Sequence, residues 1–409
     1  MKKLIAVAVA AAFTIPVQAQ DKPAPPPAWH QGKPPAMGES KLAPHPGKMT
    51  ETPAGEIPVN KLKVPAGFKV ELWASGLPGG RAMAVSEDGK KVYVGTRVIG
   101  RVYEVTDEGS KRSVRVVVDK LTQPAGVAYK DGALWVFAID KVLKFDGIAK
   151  SGNDAKPEDL TAKFDLPKEQ HHNWKYVAFG PDGKLYVPFG APCNICEPPS
   201  KEYAQIRRYN ADGSGKEVIA TGVRNSVGFD WHPKTKELWF TDHGRDWAGD
   251  KGVEDELNKV SKPGGFYGFP YCHNHNTPDP DVKKPNPCEG VTKPVALLGA
   301  HAAGMGIKFY TGKMFPAEYQ NTAFIARKGS WNREKPNGFD VVNVRIGDDG
   351  KAAIRPFMTG FNESKEAYKF WGRPAYIAQM PDGALLVSDE QVGAIYRVSY
   401  QKPKAPAKK

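Results

Sequence analysis

Tyr176–Gly190 reads YVAFGPDGKLYVPFG, and this stretch decides the fold. A short apolar run leads into Pro-Asp-Gly, and a second run ends in aromatic and β-branched residues. Asp-Gly supplies the left-handed backbone a tight turn needs, so the stretch spells a β-hairpin. Working outward, the same phrase recurs at Met83–Thr96 (MAVSEDGKKVYVGT), Gly126–Ala138 (GVAYKDGALWVFA), Gly228–Gly244 (GFDWHPKTKELWFTDHG), Gly306–Gly329 and Tyr376–Asp389 (YIAQMPDGALLVSD). One such hairpin buries part of one face only, and radial stacking of copies is the physical way to cover the rest. The expectation is an all-β protein, a six-bladed β-propeller over residues 59–400. Phe68–Ala74 (FKVELWA) precedes the first full copy and is placed to pair with the Tyr376–Tyr400 blade and close the ring. A pair of β-sandwiches would not repeat one hairpin phrase six times.

The flanks read differently. Residues 1–19 carry Lys2 and Lys3, an apolar run from Leu4 to Ile15 and the small-residue pattern Val17-Gln18-Ala19, the marks of a cleaved secretory signal. A periplasmic or secreted protein is therefore expected. Nothing later approaches the ~18 apolar residues of a membrane span, so a membrane-spanning chain is not expected. Residues 20–58 are rich in Pro, Lys, Gly and Ala and read as an extended lead-in, and 401–409 as a basic tail. With 42 Gly and 36 Pro, the remainder suits short strands and turns.

Formal net charge is +13, but Lys2 and Lys3 leave with the signal, and Lys402, Lys404, Lys408 and Lys409 sit in the tail. No clustered basic stripe or binding motif appears, so an anionic small ligand is a better inference than nucleic acid. Four cysteines, Cys193, Cys196, Cys272 and Cys288, form an even set in an oxidising compartment, and local disulfides are the default. Glu197 stands where c-type haem attachment would need histidine, and a zinc site would need all four thiolates in one place.

Propeller chemistry sits at one rim, in loops joining blades. Before the third blade come His171 and His172; a loop imidazole can take a proton from a substrate hydroxyl, and His172 is the candidate base. The bland alternative is surface decoration or adventitious metal binding. Arg224 and Asn225 join a cationic fork to an amide, suited to a carboxylate or quinone oxygen, or to tying two loops together. The acid-rich passage Asp242 to Asp255, broken by Gly244, Gly249 and Gly252, offers hard oxygen ligands for calcium, though without EF-hand spacing. Later loops add His301, Lys328 and Arg373, cationic or imidazole groups at blade ends that fit one anionic ligand. Trp331 and Trp371 read as packing.

Taken in order, HHNWKYVAFGPDGKLYVPFGAPCNIC, GVRNSVGFDWHP, DELNKVSKPGGFYGFPYC, GSWNR and GRPAYIAQMPDGALLVSD resemble the soluble PQQ-dependent sugar dehydrogenases, most closely their L-sorbosone dehydrogenase-like branch. The likeness runs from about Leu62 to Tyr400. It implies a dehydrogenase that oxidises a sugar or related alcohol or aldehyde with bound pyrroloquinoline quinone (PQQ) and Ca2+, passing electrons to a cytochrome or quinone. It also implies roles: His172 as general base; Arg224 and Asn225 on the quinone oxygens; His243, Asp255 and His301 beside the cofactor; Lys328 and Arg373 on its carboxylates. The calcium ion would be held largely by backbone carbonyls in the turn at Gly244 and Arg245. Two positions depart from the glucose-oxidising members. Ala191 stands where an aspartate would orient the imidazole, and Ala375 where a second arginine would touch the cofactor; His301 and His171 are the candidates to compensate. The competing readings are a calcium-dependent propeller lactonase and a non-catalytic propeller that binds protein or glycan.

Overall fold

The computed structural model describes residues 33, 49, 51–167, 169–347 and 349–402. The expected signal at 1–19, nearly all of the lead-in up to residue 50, and the tail from 403 lie outside the described residues. Six antiparallel blades follow one another around a ring. Each begins with the hairpin read from the sequence: Gly80–Val85 with Lys91–Thr96, Gly126–Lys130 with Ala133–Phe137, Ala178–Phe179 with Leu185–Phe189, Gly228–Trp231 with Leu238–Asp242, Gly304–Phe309 with Ala323–Arg327, and Pro374–Gln379 with Leu385–Asp389. Two further strands complete blades one to five, and Gly265–Phe266 adds a parallel strand to the edge of blade three.

Blade six is built from both ends of the chain. Phe68–Ala74 pairs antiparallel with Ala394–Tyr400, from Phe68 opposite Tyr400 to Ala74 opposite Ile395. The expected closure of the ring is what the fold contains.

The core lies between blades rather than within them. Phe137, Val187 and Tyr209 pack blade two on blade three; Ile206, Phe229 and Phe240 pack three on four; Trp239, Ile307 and Ile325 pack four on five; Phe324, Val387 and Tyr396 pack five on six. A fifth cluster, with Val94, Val136 and Leu386, joins six, one and two. Close approach at the centre needs small residues. A methyl group at Gly228 would run into the Met305 carbonyl of the next inner strand.

One boundary shifts. The lead-in was expected to reach Pro58, but Ala54–Glu56 and Val59–Lys61 form single helical turns, and between them Ile57 is buried with Phe315, Phe357 and Phe361. A single apolar side chain in a Pro-rich stretch is enough to seat it, a signal that averaged composition hides. No described helix is long and apolar enough to cross a membrane.

Candidate active site

In an antiparallel hairpin the start of the first strand and the end of the second lie at the same end. Residues that precede each inner strand or follow the second therefore converge on one rim. There they surround one open cavity. His172, Arg224, Asn225, His243, Gly244, Asp255, His301, Lys328 and Arg373, singled out across the length of the chain, all line it.

Sequence reasoning passed over Arg81, Arg97 and Trp174, which line it together with Asp246 of the acid-rich passage, and Glu390, which stands behind it. A signal for them exists. The Gly-Arg step just before blade six, Gly372-Arg373, also opens blade one as Gly80-Arg81. The residue directly after the second strand is Arg97 in blade one, His243 in blade four, Lys328 in blade five and Glu390 in blade six.

Charge in the cavity is lopsided. Five cations, Arg81, Arg97, Arg224, Lys328 and Arg373, line it against two carboxylates, Asp246 and Asp255. Glu390, buried, ion-pairs with both Arg81 and Lys328. Burial would raise its carboxyl, but Arg81, Lys328 and Arg373 outweigh that and hold it far below the usual range, so it is an anion. Arg373 is steered from behind: Nη2 donates to the Gly329 carbonyl at 2.6 Å, and its guanidinium lies 5.6 Å from the Phe339 ring centre. Arg97 lies 3.7 Å from the ring centre of Trp174. Burial and the charge of Arg81 push Arg97 down to about 9, which leaves it charged at neutral pH.

His172 is buried and sits at φ 51°, a left-handed conformation that costs a non-glycine residue free energy and is held only by its surroundings. Its ring centroid is 4.0 Å from that of His171, and its Nδ1 has no partner within the protein. Burial, followed by His171 and Arg224, drives its pKa well below the ordinary histidine value. His171 is pushed down to about 3 by burial and by Arg224 and Arg97. Both imidazoles are neutral at physiological pH. Ala191 is fully buried among Cys193, Ile195, Ala204 and Phe269, so position 191 offers no carboxylate to the imidazole.

His243 is committed on both sides, with Nδ1 3.0 Å from Asn225 Nδ2 and Nε2 2.8 Å from the Gly304 carbonyl. Nε2 must then carry the proton, and Asn225 donates to Nδ1. Asn225 Oδ1 is left buried without a partner. His301 Nε2 lies 3.2 Å from the Gly249 carbonyl. Arg224 proves to be both a cavity group and a tie between loops: it donates to the Asn194 carbonyl at 2.8 Å, to Asn194 Oδ1 at 2.7 Å and to the His243 carbonyl at 3.2 Å, and pairs with Asp246 at 3.2 Å.

The acid-rich passage does not assemble as a ligand set. Asp242 accepts from the backbone N–H groups of Arg224 and Asn225, and Asp255 from those of Gly244 and Gly304. Asp250 accepts from Glu334 N–H, and Glu254 from Gly299 N–H. These carboxylates organise loops, and among the described residues no three His, Cys, Asp or Glu side chains converge as a metal cage. The Arg245 side chain turns away from the cavity to Asp279 (3.0 Å) and Asp281 (2.7 Å). Only backbone at 244 and 245 can face a cation there, and neither carbonyl accepts a backbone hydrogen bond among those described.

The cysteines pair locally, Cys193 with Cys196 and Cys272 with Cys288, which removes the thiolates a zinc site would need. Trp371 packs on Phe361 and Trp331 edge-on against Trp247, as expected, and Trp331 also lines the cavity.

What the residues fit can be judged from the polar atoms they leave over. Arg81 Nη1, Asn225 Oδ1 and His172 Nδ1, on three lining residues, find no partner within the protein. A cationic cavity with buried polar atoms left unpaired is unfavourable alone and favourable around a polar, anionic ligand. PQQ, with three carboxylates and quinone oxygens, fits this donor set.

The model of the TrAA12-like family matches residues 62–401. An uncharacterised protein of Borreliella burgdorferi is 34% identical over 364 residues, 86% of this chain and 94% of that protein. Among solved structures, the holo form of the pyranose dehydrogenase PQQ domain from Coprinopsis cinerea superposes with a TM-score of 0.68 at 19% identity, covering 83% of this chain and 97% of that one. The calcium structure of a Trichoderma reesei family AA12 carbohydrate-active enzyme gives 0.70 at 18% identity, covering 86% and 100%.

Proposed function

The chain belongs to the TrAA12-like family, and on that footing we propose that it is an exported oxidoreductase that uses PQQ and Ca2+ to oxidise a sugar or a related alcohol or aldehyde, sorbosone-type substrates included. The observation that carries this reading is a single cavity in which five cationic side chains stand around a buried, neutral imidazole, His172, whose Nδ1 has no partner within the protein. Two solved relatives of the same fold were obtained as a holo PQQ domain and with calcium, which supports the choice of cofactors.

Arg81, Lys328 and Arg373 would hold the PQQ carboxylates, Arg224 and Asn225 the quinone oxygens, and the Gly244–Arg245 backbone the calcium ion. When bound, PQQ supplies the two-electron oxidising power by accepting hydride from the substrate carbon. His172 takes the hydroxyl proton at a ring nitrogen. Its burial keeps the imidazole neutral and so ready to accept. Arg224 and Arg97, which lower its pKa, also raise the cost of keeping the proton there, which favours its onward release. The fixed cations would stabilise negative charge on a bound quinone without reorganising. A cytochrome or quinone would serve as the electron acceptor, and two disulfides suit an oxidising compartment outside the cytoplasm.

Titration of the purified protein with PQQ, with and without calcium, followed by dye reduction with a panel of aldoses and alcohols, tests the proposal. Uptake at micromolar PQQ and substrate-dependent dye reduction are expected. No change in quinone absorbance at that concentration, or a loaded protein silent towards every substrate, would overturn it.

A further inference from the structure

His172 and Arg224 come from loops before different blades, and one short segment, 190–196, touches both, at the backbone of His172 and at the guanidinium of Arg224. A side chain at Gly190 would run into the His172 carbonyl, so the strand passes directly beneath the base. Ala191 N–H donates to the Arg224 carbonyl at 2.8 Å. The segment then enters the ring Cys193-Asn194-Ile195-Cys196, closed by a disulfide, with Asn194 fully buried inside it.

Asn194 grips Arg224 at two points. Its carbonyl accepts from Arg224 Nε at 2.8 Å and its Oδ1 from Arg224 Nη2 at 2.7 Å, while Oδ1 also accepts the Asp246 N–H at 2.8 Å. A guanidinium is planar, so fixing Nε and Nη2 to two oxygens of one residue fixes the plane and the direction of Nη1. Of its five N–H groups, Nε uses one, Nη2 uses two on Asn194 and Asp246, and Nη1 uses one on the His243 carbonyl. One N–H on Nη1 remains for a ligand.

We propose that Asn194, held by the Cys193–Cys196 ring, is a positioning residue that aims this last Arg224 N–H at the bound cofactor; the inference deepens the functional reading above and depends on it. The ring suits local alignment more than global stability. Loop-closure stabilisation grows with loop length, and this disulfide spans 3 positions where Cys272–Cys288 spans 16.

The test compares PQQ dissociation constants, from quinone absorbance, for the wild type, Asn194→Ala, Asn194→Asp, Arg224→Ala, the Asn194→Ala/Arg224→Ala pair and the Cys193→Ser/Cys196→Ser pair, with thermal unfolding of each unloaded protein. Asn194→Ala should weaken binding about tenfold. The pair with Arg224→Ala should bind no worse than Arg224→Ala alone, because Asn194 acts through that arginine. Asn194→Asp, which keeps acceptor oxygens, should recover most of the affinity, and the cysteine pair should shift it in the same direction as Asn194→Ala. Additive losses in the double variant, or unchanged affinity in Asn194→Ala, would overturn the proposal. Should Asn194→Ala fail to fold, unchanged affinity in the cysteine pair would overturn it equally. A wild type that takes up no PQQ would instead remove the functional reading itself.

Discussion

At the residue scale the decisive group is His172, and its environment makes a directional claim. Burial and the neighbouring positive charge depress its pKa, so the neutral, competent base is the folded-state form at every pH above that depressed value. The acid limb of kcat/KM should therefore fall below the ordinary histidine value of about 6.5, with activity sustained through pH 6. His172→Ala should lower kcat by about 100-fold or more while leaving the PQQ dissociation constant nearly unchanged. A limb centred near the free-histidine value, or full turnover in His172→Ala, would remove the imidazole from its assigned role. Much of this site was legible in sequence: His172, Arg224, Asn225, His301, Lys328 and Arg373 stood out as polar groups at blade ends, while His243 and Asp255 came only with the family resemblance. Arg97 and Glu390 were not legible, because each follows an ordinary strand and gains meaning only when six such positions are laid side by side. The acids from Asp242 to Asp255 misled for the opposite reason. A carboxylate that ties down backbone N–H groups and one that binds calcium look alike until the loop is folded.

At the element scale the hairpin phrase carried the fold, since Asp-Gly turns and flanking apolar runs are local properties. Ring closure was legible for the same reason: Phe68–Ala74 is a strand with no neighbour in sequence to pair with. Its first residue does more than pair. Phe68 meets Phe315, Tyr319, Phe357 and Tyr400 with ring centroids 4.8, 5.2, 5.0 and 4.9 Å away, joining blade six to blade five. Phe68→Ala should cost about 3 kcal/mol of stability, read as a lower urea midpoint with an unchanged slope. A loss under about 0.5 kcal/mol would mean that the seam contributes no more than an ordinary surface site. Ile57 was illegible because its partners come from blades five and six, some 250 to 300 residues further along the chain.

At the scale of the whole molecule, loops from five blades meet at one cavity, so occupancy should be felt throughout the ring. A ligand that binds only the folded form adds about 2.7 kcal/mol at one hundred times its dissociation constant. For a domain of this size, PQQ with calcium should raise the unfolding temperature by roughly 5 °C, and a chelator should return part of that gain. An unfolding temperature indifferent to both additions would mean that the cavity does not bind them.

The pairing of Phe68–Ala74 with Ala394–Tyr400 also sets the order of events during synthesis. The earliest strand to leave the ribosome must wait, its edge uncovered, until the final seven-residue strand arrives. A nascent chain stopped a few residues short would carry six near-complete blades and still present a raw seam to proteases and chaperones. The last strand thus brings the partner that covers the first only when the other blades have already been made.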